Sequence, residues 1–332
     1  MFNTLILILS LIALFFLNFF FKKKKILLDA INTEKHKSYS TKSYTPLTGG
    51  IYFFLITLIF LNQMEIELKI FLSAFFLIGL FSDLRYLKNP LKKFFLQFVI
   101  ILFFFLVSDV SIKSTTIAWF DNLLLYKYFN ILFCIFCLMI LINGFNFIDG
   151  LNGLSLGYFL IIFCNLFYAK NIYFLNLDII FNIYLFSIFC LFIFIVLGKN
   201  FLGDSGSYLI GSFAGFYLIY LNYQHPEISP WYIVLLLWYP CFEILFSIFR
   251  KLNKNNSPFD PDNSHLHQLL FKKLKNRFSN ANPLAAIIIL LYNLPVLFIG
   301  SLNVYDSKII ISLIILNLLI YMITFLKLKN NE

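Results

Sequence analysis

The sequence predicts an all-α, polytopic integral membrane protein with about eleven transmembrane helices, and three observations carry this. Its 332 residues are 61% hydrophobic with a mean hydropathy of +0.85, and 13% are charged, against roughly 25% in a soluble domain. Apolar runs near the roughly 20 residues that cross a hydrocarbon core follow one another almost end to end. Stretches such as FFLNFFF and FCLFIFIVL lack the polar alternation of a membrane barrel strand. Lipid offers backbone groups no partner, so a helix is what remains.

The first apolar run, 3–21, is followed by four lysines, Lys22 to Lys25. A secretory signal places its positive residues before the apolar run, so this segment reads as a retained helix ending in the cytoplasm. Further spans are predicted near 47–62, 69–82, 93–107, 129–146, 153–169, 172–197, 206–222, 230–249, 283–301 and 308–326. Alternating from an outside start, the inner segments receive 21 of the 26 Lys and Arg residues. The outer segments hold Lys69, Lys113, Lys127, Lys170 and Lys308. By the positive-inside rule the N-terminus is outside and the C-terminus cytoplasmic. The net charge of +10 therefore reports topology and proximity to anionic lipid, not nucleic acid.

The longest polar stretches are the inner loops 22–46 and 250–282; the outer segment 108–128 is only mildly polar and suits the membrane interface. With no second soluble stretch and no internal repeat, one membrane domain covers 1–332. The five cysteines sit in or beside apolar segments, and Cys134 and Cys137 lack further ligands. They read as buried thiols rather than a redox or zinc pair.

Against this background "NGFNFIDGLNGLSLG", from Asn143 to Gly157, stands out as polar and glycine-rich. It falls at the inner end of one span and the start of the next. So do "FSDLRYLK" (81–88), "FLGDSGS" (201–207) and "SPFDPDNSHLHQ" (257–268), while "TPLTGG" (45–50) opens the second span from inside. Taken singly, each has a bland reading. Asp149 and Ser82–Asp83 can cap helices, Gly-Asp-Ser-Gly is ordinary turn chemistry, and His265 and His267, two apart, cannot share one face of a helix. Glu243, inside an apolar helix, is functional or ion-paired, with Arg250 two turns on along the same face. Independent caps have no reason to gather on one side of a membrane, and here they all do.

Asp83, Asp149, Asp204, and Asp260 or Asp262, with two histidines and a basic rim, suggest Mg²⁺ and an anionic substrate. Mg²⁺ takes oxygen ligands, shared between one or two carboxylates and substrate phosphates, whereas the two histidines lack a third zinc ligand at standard spacing. Phosphoryl transfer needs positioning and charge neutralisation above all. The rival is a secondary transporter using the intramembrane Glu243. Transporters place such residues near mid-membrane in repeated halves, and neither feature is found.

NGFNFIDGLNGL, FLGDSGSYLIG and SPFDPDNSHLHQLLF, in this order, resemble the polyprenyl-phosphate N-acetylhexosamine-1-phosphate transferases. These membrane enzymes of glycosyltransferase family 4 begin O-antigen, teichoic acid and related glycans, and the phospho-N-acetylmuramoyl-pentapeptide translocase is a cousin. The resemblance runs from about 29 to 277 and leans to the O-antigen type. It implies transfer of N-acetylhexosamine-1-phosphate, most simply N-acetylglucosamine-1-phosphate, from a UDP-sugar to undecaprenyl or another polyprenyl phosphate. UMP is released with Mg²⁺ (or Mn²⁺) at the cytoplasmic face of a bacterial inner membrane.

Carried over by position, Asp204 matches the family's magnesium aspartate, joined by Asp149 of the loop that also supplies Asn146. Asp83 matches the second of a paired-aspartate motif that acts on or orients the lipid phosphate. His265 and His267 match the His-x-His motif at the nucleotide-sugar phosphates. Pro46, Gly49 and Gly50 match an early inner loop, and His36 matches a family histidine at longer spacing. Asn143, Asn146, Asn152, His36, Gly49, Gly50, Arg85, Lys88, Glu243 and Arg250 are thus expected at the substrate. The chain departs from the pattern at Ser82, Asn152 and Asn263, where relatives carry aspartate, aspartate and a basic residue.

Overall fold

The computed structural model describes residues 2–29, 45–60, 65–173, 179–255, 257 and 264–330. His36, Asp260, Asp262 and Asn263 lie outside them. The described chain is almost wholly helical: α1 (Phe2–Lys24), α2 (Gly49–Phe60), α3 (Ile66–Asp83), α4 (Pro90–Val107), α5 (Ala118–Leu124), α6 (Lys127–Ile148), α7 (Leu154–Tyr173), α8 (Ile179–Val196), α9 (Gly203–Gln224), α10 (Pro230–Leu252), α11 (Leu266–Lys275), α12 (Ala281–Ser301) and α13 (Ser307–Lys329). A two-residue antiparallel pairing, β1 (Leu28–Asp29) with β2 (Thr45–Pro46), ties the end of α1 to the start of α2.

Within the described residues each predicted apolar run overlaps one of these helices, except that the 172–197 run begins in the end of α7 and continues as α8. α4, α6, α10, α12 and α13 have the length and composition to cross a membrane, so the chain is a multi-pass membrane protein. Phe15, Phe19, Phe103 and Leu291 point outward, each more than half exposed, as lipid-facing side chains do. The two short helices lie where no span is predicted: α5 within 108–128, and α11 in the inner loop before α12.

Helix α9 is the hub, packed on α2, α3, α6 and α7. Its sequence, GDSGSYLIGSFAG, explains why. Added Cβ atoms at Gly211 and Gly215 would meet Ile142 and Leu138 of α6 at 2.6 and 2.4 Å. Ser207 meets Asn146 one turn earlier, where Asn146 Nδ2 donates to Ser207 Oγ at 2.9 Å. Small residues every fourth position let two helices touch backbone to backbone, which is how helices pack in lipid. Gly144 of α6 approaches α10 in the same way, against the Pro240 carbonyl. The loop before α9 is pinned to the start of α2 by Gly49 and Gly50 amides donating to Phe201 and Leu202 carbonyls, both at 3.0 Å. These contacts bring the ends of α3, α6 and α10 together with the starts of α2, α4, α9 and α11.

Candidate active site

At that end of the bundle, Asp83 and Asp204 meet. Asp83, one residue beyond the apolar run of α3, accepts the Asp204 amide at 2.8 Å and the Ser205 amide at 3.0 Å. Helix α9 has no cap from its own Leu202, so a carboxylate from another helix satisfies its first amides, where a negative group is also favoured by the helix dipole. Gly203 has φ +74 and a Cβ there would strike the Asp83 carboxylate at 2.6 Å. Only glycine suits both the left-handed backbone and that approach. Burial, and then the neighbouring Asp204 charge, push the Asp83 carboxyl up to about 7, against the pull of its hydrogen bonds.

Both oxygens of Asp204 are engaged. Asn146 Nδ2 donates to Oδ1 at 3.1 Å, while Ser82 Oγ at 2.5 Å and Lys93 Nζ at 3.0 Å share Oδ2. Lys93 stands on the first turn of α4, whose start is set by Pro90 and by Asn89 accepting the Leu91 amide at 2.9 Å. One turn on, Gln97 accepts from Asn143 Nδ2 at 2.9 Å. Asn143 therefore braces α6 against α4, one turn deeper than Asn146.

A second cluster surrounds Glu243 of α10. Glu243, His265 and His267 are buried. His265 Nδ1 donates to Glu243 Oε2 at 2.9 Å, and His267 Nδ1 lies 3.8 Å from Oε1. The bland reading of the two histidines is corrected here, although the helical constraint on residues two apart stands. His265 is the N-cap of α11, with extended φ −74 and ψ 148, so only His267 is on the helix. The rings stack at 5.4 Å and 18°. Burial draws the His267 imidazole below the ordinary histidine range, although Glu243 pulls the other way.

The pairing of Glu243 with Arg250 is likewise corrected. Glu243 is held by the imidazoles, while Arg250 Nη1 donates to the Ser264 carbonyl at 2.5 Å and its guanidinium covers Phe246 and Phe325. Arg250 thus anchors the chain just before His265.

The last turn of α6 and the polar loop after it join the two clusters. Asn146 faces Asp204, the next residue Phe147 packs its ring 5.2 Å from His265, and a Cβ on Gly150 would lie 3.4 Å from His267 Nε2. Asp149, the C-cap of α6, lies between these contacts in sequence. Asn152 lends its amide to Asn282 Oδ1 at 2.7 Å, fixing the turn to α12. Gly153 follows at φ +86. Gly49 and Gly50 serve close packing against the α9 start, while Arg85, at φ +64, and Lys88 lie exposed at the rim. Sequence reading missed Lys93, which counted only as a topology charge, and saw in Ser82 a helix cap and a lost carboxylate.

A multi-pass helical protein that gathers carboxylates, amides and imidazoles at one end of its bundle is built as a membrane enzyme. Residues 66–222 match the model of Glycosyl transferase family 4. The chain is 30% identical over 255 residues to the undecaprenyl-phosphate alpha-N-acetylglucosaminyl 1-phosphate transferase of Thermotoga maritima, covering 76% of each protein. It is 27% identical over 288 residues to the enzyme of that name from Yersinia pestis, covering 79% of this chain and 75% of the relative. A phospho-N-acetylmuramoyl-pentapeptide-transferase of Dictyoglomus thermophilum is 33% identical over 145 residues, 41% of this chain and 46% of the relative. The chain belongs to glycosyl transferase family 4, and it is a phosphotransferase enzyme.

Proposed function

We propose that this enzyme transfers N-acetylglucosamine-1-phosphate from UDP-N-acetylglucosamine to undecaprenyl phosphate. It releases UMP and begins a lipid-linked cell-surface glycan of the O-antigen type. The observation that carries this reading is the convergence of Asp83, Asn146 and Asp204 on one side of the α6 loop and of His265, His267 and Glu243 on the other. The Lys and Arg distribution supports a cytoplasmic position for that end of the bundle, where a soluble nucleotide sugar and a lipid phosphate can both arrive.

The donor set fits Mg²⁺. Among the described residues no three His, Cys, Asp or Glu side chains form a cage, but Mg²⁺ takes one or two carboxylates and completes its shell with water and phosphate oxygens. Asp204 would hold it, with Asp149 as second carboxylate. The bound cation would offset the repulsion of about several kcal/mol between two phosphates at low dielectric.

The chain's own residues do the rest. Asp83 fixes the Gly203–Ser205 turn and so the aim of Asp204, and it would orient or deprotonate the acceptor phosphate, whose second pKa is about 6. Asn146 orients the Asp204 carboxylate. His265 and His267, positioned by Glu243, would take the donor's diphosphate, with Arg85 and Lys88 at the entrance. Direct attack of the acceptor phosphate on the donor needs no covalent enzyme intermediate.

UMP release by purified protein, given undecaprenyl phosphate and a panel of UDP-sugars, tests this. UMP formed only when UDP-N-acetylglucosamine and acceptor are both present supports the proposal. Preference for another UDP-N-acetylhexosamine would replace the sugar, and no UMP with any donor would remove the reaction.

A further inference from the structure

We infer that Lys93 and a divalent cation compete for the same oxygen of Asp204, so that metal binding frees the Lys93 ammonium for the incoming phosphate. This rests on the proposed assignment of the metal to Asp204. Lys93 Nζ lies 3.0 Å from Asp204 Oδ2, and the two side chains are 20% and 21% exposed. The pair is therefore open to ligands, yet less screened than a surface ion pair. Asn146 takes Oδ1 and the uncharged Ser82 hydroxyl joins Lys93 on Oδ2. Serine at 82 adds no charge of its own, so the negative charge that ammonium and cation would share at Oδ2 is that of Asp204 itself.

The lysine is built to move. Its backbone is fixed in the capped first turn of α4, while four methylenes let the head swing. An ammonium is a point charge with three rotatable donors, so it exchanges a carboxylate oxygen for a phosphate oxygen without the geometric demand of a guanidinium. A cation at Oδ2 would repel it strongly at ion-pair distance. Lys93 thus opposes metal binding while no phosphate is present. A phosphate that accepts the freed ammonium removes this opposition. Metal and acceptor phosphate then favour each other, and by linkage each tightens the other by the same factor.

The test is Mn²⁺ affinity, read by electron paramagnetic resonance on the purified full chain in nanodiscs, with and without undecaprenyl phosphate. In the wild type, undecaprenyl phosphate should tighten Mn²⁺ binding. Lys93→Met should bind Mn²⁺ alone roughly threefold or more tightly than wild type, the scale of a partly exposed ion pair, and should lose most of the response to the lipid. Lys93→Arg should keep weak Mn²⁺ binding. Lys92→Met, which removes an equal charge from the exposed neighbouring position, should leave Mn²⁺ affinity unchanged. A melting temperature for each variant confirms that it is folded. Folded Lys93→Met binding Mn²⁺ no more tightly than wild type overturns the competition, and so does equal tightening by Lys92→Met. Asp204→Asn binding Mn²⁺ as tightly as wild type is a different failure: it removes the metal assignment itself.

Discussion

Asp83 holds the first two amides of the turn that carries Asp204, at 2.8 and 3.0 Å, so one aspartate aims the other. Their separation of 121 residues in sequence is closed by the small residues of α9, which let α3 approach it directly. A Cβ on Gly79 of α3 would fall 2.3 Å from the Ser205 Cα. Much of the site depends on this contact.

Asp204→Asn should lower the initial rate of UMP release by on the order of a hundred- to a thousandfold, the usual cost of one electrostatic contact made at the transition state. Asp83→Asn should fall between this and wild type, because an amide oxygen still accepts one of the two α9 amides. Ser82→Ala removes a hydrogen bond to a charged group, worth about 1.5–3 kcal/mol, so a loss of roughly tenfold or more is expected. Asp204→Asn near wild-type rate would refute the metal assignment.

The raised Asp83 pKa gives a pH signature with a definite sign. Between the ordinary value of 3.8 and about 7, the folded protein keeps a proton that the unfolded chain has released. Asp83 therefore contributes a stability that declines as pH rises through this window. In chelator, the melting temperature of the wild type relative to Asp83→Asn should fall from pH 4.5 to pH 7.5. A difference that stays constant or rises would contradict the burial of this carboxyl.

Glu243→Gln keeps the shape of the side chain but not the charge that faces His265 and His267. The KM for the nucleotide sugar should rise at least several-fold, with a smaller change in the KM for undecaprenyl phosphate. Leaving the buried Glu243 carboxylate without its hydrogen-bond donor typically costs about 1–3 kcal/mol or more, so His265→Ala should also lower the melting temperature markedly. Equal changes in both KM values would show that Glu243 acts only on the fold.

Cysteines introduced singly beside the motifs, at 84, 150, 199 and 264, in a background without native cysteine, should resist a membrane-impermeant thiol reagent in intact cells. All four should react after permeabilisation. Labelling of any one from outside would break the one-sided site.

The helical membrane class and the helix positions were legible in the sequence because apolar runs of spanning length have few alternatives in lipid. Asp83, Asn146 and Asp204 were legible from their motifs. The neighbourhood of Glu243 was not: helical spacing points to Arg250, and nothing in the spacing shows that His265 leaves the helix as an N-cap and turns toward α10. Lys93 was hidden for a different reason. A lysine at the inner end of a span is what topology alone requires, so its ion pair with Asp204 adds no visible mark. Ser82 was read as a helix cap and by the carboxylate it lacks, whereas its hydroxyl reaches Asp204 Oδ2.

The most direct measurement is the chemical identity of both products by mass spectrometry, after incubation with UDP-N-acetylglucosamine, undecaprenyl phosphate and Mg²⁺. Transfer of the sugar with its phosphate predicts undecaprenyl diphosphate N-acetylglucosamine and an equal amount of UMP, both formed on the order of a hundred- to a thousandfold more slowly by Asp204→Asn. Undecaprenyl monophosphate N-acetylglucosamine together with UDP would mean transfer of the sugar alone, and would contradict the reaction proposed here.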